Sequence, residues 1–142
     1  MPTSTDEDLI TAVTIRYCWA LDTRKFDQLT EVFTPDAVGD YGSLGTFHGP
    51  GEIAGFVEKV LTPLDASQHL VSNHDVVIDG DTASCRCQLQ AQHFREAAEG
   101  GATYLVGGYY VDDLVRTPAG WRIHHRSLHR TWTDGNHAVV RP

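Results

Sequence analysis

Cysteine is scarce in this chain, and its spacing carries no diagnostic pattern. Cys18, Cys85 and Cys87 are the three, and none forms a C-x-x-C pair. An odd number without that spacing argues against a disulfide framework and against a zinc ribbon. Cys85 and Cys87 flank Arg86 and so share one face of a strand; buried, reduced thiols are expected, since free cysteine packs as a small hydrophobe. Positive charge is short too. Eleven Lys and Arg face 19 Asp and Glu, for a net charge of −8 and a pI near 5.3. A nucleic-acid binder needs a basic surface to neutralise phosphates, so no nucleic-acid partner is expected. Nor is binding to an anionic membrane. No apolar run approaches the length of a membrane span. The polar, acidic start Met1 to Asp8 lacks the basic and apolar parts of a signal peptide, and a cytoplasmic location is the expectation. There is no glycine-rich phosphate loop, because Gly107-Gly108 falls within a strand pattern and Gly100-Gly101 in a loop. There is no G-x-S-x-G elbow. Eight histidines include a cluster at His124, His125 and His129. The chain has neither H-x-H nor H-E-x-x-H, so no metal site is expected.

What is present fits one ordinary globular domain of 142 residues, 41% hydrophobic and 21% charged. A chain of this size buries enough surface for a core and an internal pocket. Ser4-x-x-Glu7 resembles a capping box ahead of a helix from about residue 5 to about residue 22, with Leu9, Val13 and Tyr17 as an i+4 stripe beside Ile10, Ala20 and Leu21. Phe26 to Phe33 reads as a short second helix stopped at Pro35. Residues 37 to 41 suit a short strand. Gly49-Pro50-Gly51 opens a third helix that Pro63 ends. The second half alternates. Gln68 to Ile78 is closed by the turn Asp79-Gly80-Asp81. Thr82 to Arg95 puts Ala83, Cys85, Cys87, Leu89, Ala91 and His93 on one face. Thr103 to Arg116 and Trp121 to Trp132 are further strands, followed by an irregular tail from Thr133. Helices followed by long antiparallel strands indicate an α+β domain, a curved sheet wrapped around three N-terminal helices with a pocket between them.

Within this frame a few residues stand out. Asp22 lies near the carboxyl end of the first helix, where the dipole disfavours a negative charge unless a cation or strong donor is near. It is either a solvated carboxylate capping the next helix or the partner of a histidine. His69, in Ser67-Gln68-His69, is either a satisfied core histidine or a base, since imidazole ordinarily titrates near ~6.5 and a carboxylate on one ring nitrogen frees the other to take a proton. Tyr17 is open between core packing and carbonyl polarisation. Tyr41 is open between a strand aromatic and a site phenol. His93 shares a face with Leu89 and Ala91, as pocket lining or as a satisfied core group.

Several short matches in order then resemble the SnoaL-like branch of the nuclear-transport-factor-2-like (NTF2-like, cystatin-like) superfamily. They are Tyr17-Cys-Trp-Ala-Leu-Asp22-x-x-x-Phe26-Asp-x-Leu, Phe33-x-x-Asp36-Ala-Val-x-Asp40-Tyr41, His48-Gly-Pro-Gly-x-Ile, Ser67-Gln-His69 and Gly120-Trp-Arg-Ile. The branch includes scytalone dehydratase, hexachlorocyclohexane dehydrochlorinase and bile-acid 7α-dehydratase. The resemblance implies one such domain over 1–142. It puts an Asp–His dyad on Asp22 and His69, phenols on Tyr17 and Tyr41, and a second histidine on His93. Where the dehydratase has another tyrosine beside its aspartate, this chain has Leu21; its serine and asparagine on the next strand fall near Gly108 and Tyr110.

The function this implies is proton abstraction without a cofactor, by a lyase or isomerase of dehydratase or ketosteroid-isomerase type, with dehydration as the leading reaction. His69 is the base, Asp22 orients it, Tyr17 or Tyr41 donates to the enolate oxygen, and His93 protonates the leaving hydroxyl. The ligand is a mostly apolar ring compound, steroid-, polyketide- or aromatic-like. A homo-oligomer packed through sheet surfaces is implied, a trimer first and a dimer next. The alternative is a non-catalytic small-molecule-binding or assembly module on the same fold.

Overall fold

A computed structural model describes residues 3–142. Met1 and Pro2, part of the polar start read above, lie outside the described residues. The first helix, α1, spans Asp6–Asp22. Its capping box is one residue later than the sequence spacing suggested: Thr5 Oγ1 accepts from the Asp8 backbone N at 3.1 Å, and the Thr5 N–H donates to the Asp8 carboxylate at 3.1 Å. Ile10, Val13, Tyr17, Ala20 and Leu21 form its buried face. Leu9, expected in that stripe, is exposed, because Ile10 takes the inward position one residue on.

The helix ends in a Schellman motif. Lys25 N bonds Ala20 O at 2.8 Å and Arg24 N bonds Leu21 O at 3.1 Å. The left-handed residue that this closure needs is Arg24, at φ 61°, where glycine is usual. Its side chain is used, as described below.

Phe26–Glu31 is a 3-10 segment rather than an α-helix. Pro35 does not simply stop it. The chain is already extended, in β1 (Phe33–Asp40), and Pro35 falls where that strand's register with its neighbour shifts, at an irregularity that tolerates a missing N–H. Tyr41 lies just past the strand and leads into a 3-10 turn, Gly42–Leu44. A short strand that the sequence did not signal, β2 (Thr46–His48), pairs back on β1. Helix α2 (Gly49–Leu61) opens with Gly49-Pro50 and buries Ile53, Val57 and Leu61, each worth roughly 1.5–3 kcal/mol on transfer from water.

Strands β3 (Ala66–Asp79), β4 (Thr82–Phe94), β5 (Thr103–Thr117) and β6 (Gly120–Gly135) follow. The sheet order is β2-β1-β6-β5-β4-β3. All neighbours are antiparallel except β1 and β6, which run parallel because the chain reaches β6 only after the three hairpin-linked strands β3 to β5. The curved sheet and the N-terminal helices thus form the expected α+β, NTF2-like fold. β6 runs beyond Trp132, and the tail forms a 3-10 turn, His137–Val140, instead of an irregular end. No helix among the described residues is long and apolar enough to cross a membrane.

Three bulges re-aim side chains, one of them at Thr131 in β6, opposite Gly107 and Gly108, which turns Trp132 to the outer face beside Gly107. In β3 the register slips between Ser72 and Asp75, around Asn73 at φ 56°. Inward positions change there from odd to even numbers, from His69 and Val71 to His74 and Val76. In β6 Ile123 faces Leu114 and His125 faces Asp113, so His124 is an extra residue. Trp121 and Ile123 point inward before it, and Arg126 and Leu128 after it.

Candidate active site

The end of α1 and the start of β3 meet at Asp22 and His69. The Asp22 carboxylate receives three hydrogen bonds. His69 Nδ1 lies 2.7 Å from Oδ1, Ser67 Oγ donates to Oδ1 at 2.9 Å, and the His69 backbone N–H donates to Oδ2 at 2.6 Å. These donors answer the unfavourable helix terminus. Burial pushes the Asp22 carboxyl up, but the hydrogen bond and charge of His69, its backbone N–H and Ser67 outweigh it, and the net shift is downward. Asp22 is therefore an anion at neutral pH and an acceptor for an Nδ1–H. This fixes the tautomer in which His69 Nε2 carries the free lone pair.

Arg24 supports the pair. Its Nη1 donates to Leu21 O and to Ser67 Oγ, both at 2.8 Å, so Ser67 accepts from Arg24 while donating to Asp22. The left-handed turn at Arg24 delivers this guanidinium to the dyad.

His69 faces an internal cavity of about 210 Å³. Tyr17 and Tyr41 line it from α1 and from the end of β1, with His93 from β4 and Tyr104 and Tyr110 from β5. Leu21, Val57, Leu61, Leu89 and Val106 supply apolar wall. The hydroxyls of Tyr17 and Tyr41 are 2.7 Å apart, so one donates to the other and the second keeps its proton to give away. Burial pushes both pKa values well above the usual 10, with the Tyr110 phenol adding at Tyr17 and the Tyr17 phenol adding at Tyr41, and both stay neutral donors.

His93 is different. Its ring centroid lies 6.0 Å from that of His69. Its Nδ1 is 2.9 Å from Tyr104 O, and since a carbonyl only accepts, Nδ1 bears the proton. Burial lowers the pKa, and the hydrogen bond to Tyr104 does not reverse this. His93 is thus neutral with Nε2 as an acceptor. The expectation that it protonates a leaving hydroxyl does not suit this state; receiving a hydrogen bond from one does.

Beneath the phenols is a group that the sequence reading missed. Arg126 and Asp112 are both fully buried and joined by two bonds, Nε to Oδ1 at 2.7 Å and Nη2 to Oδ2 at 2.9 Å. The guanidinium lies 4.4 Å from the Tyr17 ring centroid and 3.8 Å from that of Tyr110. Nη1 has no partner. Burial opposes this charge, and Asp112 and the ring neighbours more than restore it, so Arg126 remains cationic. Strand alternation from Tyr104 through Tyr110 places Asp112 inward and could have signalled the pair; the extra residue in β6 hid its partner.

The other singled-out groups lie elsewhere. His124 approaches Thr34 at 3.5 Å and Asp36 at 3.6 Å on the surface. His129 stacks on Tyr109 at 4.7 Å. The thiols of Cys18, Cys85 and Cys87 are buried and pushed up to about 12, 12 and 11, and so are inert. A wider recess of about 610 Å³ opens between α1 and β3 on the far side of Asp22, lined by Trp19 and Leu70. Asp22, Ser67 and His69 line it too, but among the described residues it carries neither a phenol nor a second histidine, and His69, His93 and the phenols meet in the smaller cavity.

Comparison with known proteins agrees with this architecture. Residues 2–127 match the SnoaL-like domain family. An uncharacterized protein of Mycobacterium tuberculosis is 40% identical over 113 residues, covering 79% of this chain and 76% of its own length. A putative scytalone dehydratase from Novosphingobium aromaticivorans superposes with a TM-score of 0.80 at 23% identity, over 91% of this chain and 86% of that one. Hexachlorocyclohexane dehydrochlorinase LinA-type3 from Novosphingobium barchaimii superposes at 0.78 with 16% identity, over 89% and 86%. At such identities these two structures speak to the fold.

Proposed function

Because this chain belongs to the SnoaL-like domain family, whose fold hosts many activities, and because its Asp–His pair faces a phenol-lined cavity, we propose that it is a lyase acting on a ring hydroxyketone by proton abstraction. The observation that carries this reading is the placement of His69. Its Nδ1 is held by an ionised carboxylate at 2.7 Å, within the ~2.6–3.2 Å of a working hydrogen bond, while the ring lines the cavity.

The steps follow from the groups present. His69 Nε2 takes a proton from the carbon beside the ketone, and Asp22 stabilises the resulting imidazolium. The electron pair moves onto the carbonyl oxygen, where the free proton of the Tyr17–Tyr41 pair meets it. The cationic Arg126 under the Tyr17 ring favours that developing charge. The enolate re-forms the carbonyl and expels the hydroxyl on the next carbon, which His93 Nε2 has held as an acceptor. The proton on His69 leaves with it as water. If the ring has no hydroxyl there, return of the proton to a different carbon gives double-bond migration instead.

The test is a screen of one- and two-ring β-hydroxyketones, read by the ultraviolet absorbance of the conjugated enone, with His69→Ala as control. We expect turnover by the wild type and a loss of ~10²–10⁴-fold in the variant, the usual worth of a general base. Ligand binding without turnover in either protein would replace this reading by that of a binding module.

A further inference from the structure

The cavity's walls are apolar and its reactive groups deep, but its rim has a different character. Four of its lining residues are exposed, Leu44, Arg130, His137 and Arg141, and these mark the mouth. Two of them are arginines, on a protein of net charge −8. Among the described residues, no aspartate or glutamate lines the cavity. Arg130 Nη2 donates to Ser43 Oγ at 2.9 Å, and neither arginine forms an ion pair among the described residues. A guanidinium has five donors, so both have donors to offer an incoming anion.

Arg141 does not hang from a loose end. It follows the 3-10 turn His137–Val140, whose Val139 is fully buried. Arg95 ties that turn down through Nε to Val139 O at 3.0 Å and Nη2 to Ala138 O at 2.7 Å. Asn136 anchors its start, donating to Glu99 O and Gly101 O, both at 2.8 Å. A rim held in place loses less freedom on binding than a mobile one. The cavity's volume, about 210 Å³, is below the ~300–1,000 Å³ usual for drug-sized ligands and suits one or two rings rather than four.

We propose that the ligand is a one- or two-ring carboxylic acid, its ring among the apolar walls and its carboxylate at the mouth against Arg130 and Arg141. This rests on the cavity being the substrate site, and narrows the proposed lyase to ring hydroxyketones that also bear an acid group. The rim then sets orientation: the carboxylate stays outside, and the opposite edge of the ring reaches His69 and the phenols.

Calorimetric titration with 2-naphthoate and its neutral isostere 2-naphthamide tests this. In the wild type the acid should bind at least about tenfold more tightly, the scale of charge-assisted hydrogen bonds, and the gap should narrow as salt is raised. Combined R130Q and R141Q substitution should close the gap and leave 2-naphthamide affinity unchanged, which also reports an intact cavity. His69→Ala should keep the gap. Equal binding of the two probes, a gap that survives the double variant, or no binding of either overturns the inference. A gap that behaves as stated, in a protein that turns over none of the hydroxyketones, leaves the acid site standing and removes the lyase reading.

Discussion

Asp22 grips His69 at two points, with Oδ1 at 2.7 Å from the imidazole Nδ1 and Oδ2 at 2.6 Å from the backbone N–H of the same residue. One carboxylate thereby fixes both the strand position and the ring orientation of the proposed base. A carboxamide has a single acceptor oxygen and must turn its NH2 toward one of these donors. Asp22→Asn should therefore cost about 1–3 kcal/mol in denaturant unfolding, the price of an unpaired buried polar group, and ~10²-fold or more in turnover. Full activity in a folded Asn variant would remove Asp22 from the mechanism.

Arg24 separates backbone strain from side-chain function. Arg24→Gly relieves the left-handed conformation at φ 61° and loses the bonds to Leu21 and Ser67. Arg24→Ala loses the same bonds and keeps the strain. We expect the glycine variant to be about 1 kcal/mol more stable than the alanine variant by urea unfolding, with both turning over several-fold more slowly than wild type. If the two variants are equally stable, the turn carries no strain.

Acid should unfold the protein in two stages. Burial lowers the pKa of His93 and of His74 below the ordinary ~6.5. For each, the unfolded chain takes up a proton first, so stability is complete above ~6.5 and falls as pH drops through the folded value. Asp22, depressed by its donors, adds stability present above the ordinary ~3.9 and lost as pH falls through its own folded value. Melting temperature should decline from pH 7 to 5 and again below pH 4, with His93→Gln flattening the first decline. A flat profile between pH 7 and 5 contradicts the assignment of neutral imidazoles.

The buried ion pair should show strong coupling. Removing either member strands the other charge, so Arg126→Met or Asp112→Leu alone should cost about 3–5 kcal/mol, and the double substitution clearly less than the sum. Additive costs in a double-mutant cycle would mean that the pair does not act as a unit.

The outer face of the sheet carries Tyr109 and Trp132, exposed at 36% and 44%. If copies pack through this face as a trimer, light scattering should report three chains for the wild type and one for Trp132→Asp. A monomeric wild type ends that expectation.

The extents of α1 and α2, the long strands and the inward face of β4 were legible because they depend on local periodicity and turn residues, whereas the short Phe26–Glu31 segment was too brief for periodicity to tell a 3-10 from an α-helical turn. Asp22 with His69 was legible only through the ordered short matches, since no spacing along the chain brings residues 47 apart in sequence to 2.7 Å; the same matches named Tyr17 and Tyr41 as alternative donors, and only the fold brings their hydroxyls together. The cap was misplaced by one residue because Ser4 and Thr5 both offer a hydroxyl and Glu7 and Asp8 both offer a carboxylate. β2 has three residues and too little pattern to detect. Arg126 was hidden for a geometric reason: simple alternation from Trp121 and Ile123 predicts His125 on the inner face, and the extra residue gives the place to Arg126.

That extra residue uncouples chain length from ligand chemistry at a single point. Deleting His124 leaves Arg126 two positions after Ile123, so an unbent strand would show the cavity the same arginine, leucine and arginine from 126, 128 and 130. Straightening the full-length strand would instead present His125, Ser127 and His129, replacing a buried cation by imidazoles with no change of sequence. Relatives that differ by one residue opposite Asp113 can thus share an interior, while relatives identical in length but bulged elsewhere have different ones. Aligning such chains by the phase of their inward residues, rather than by residue count, is what would reveal whether they handle the same compounds.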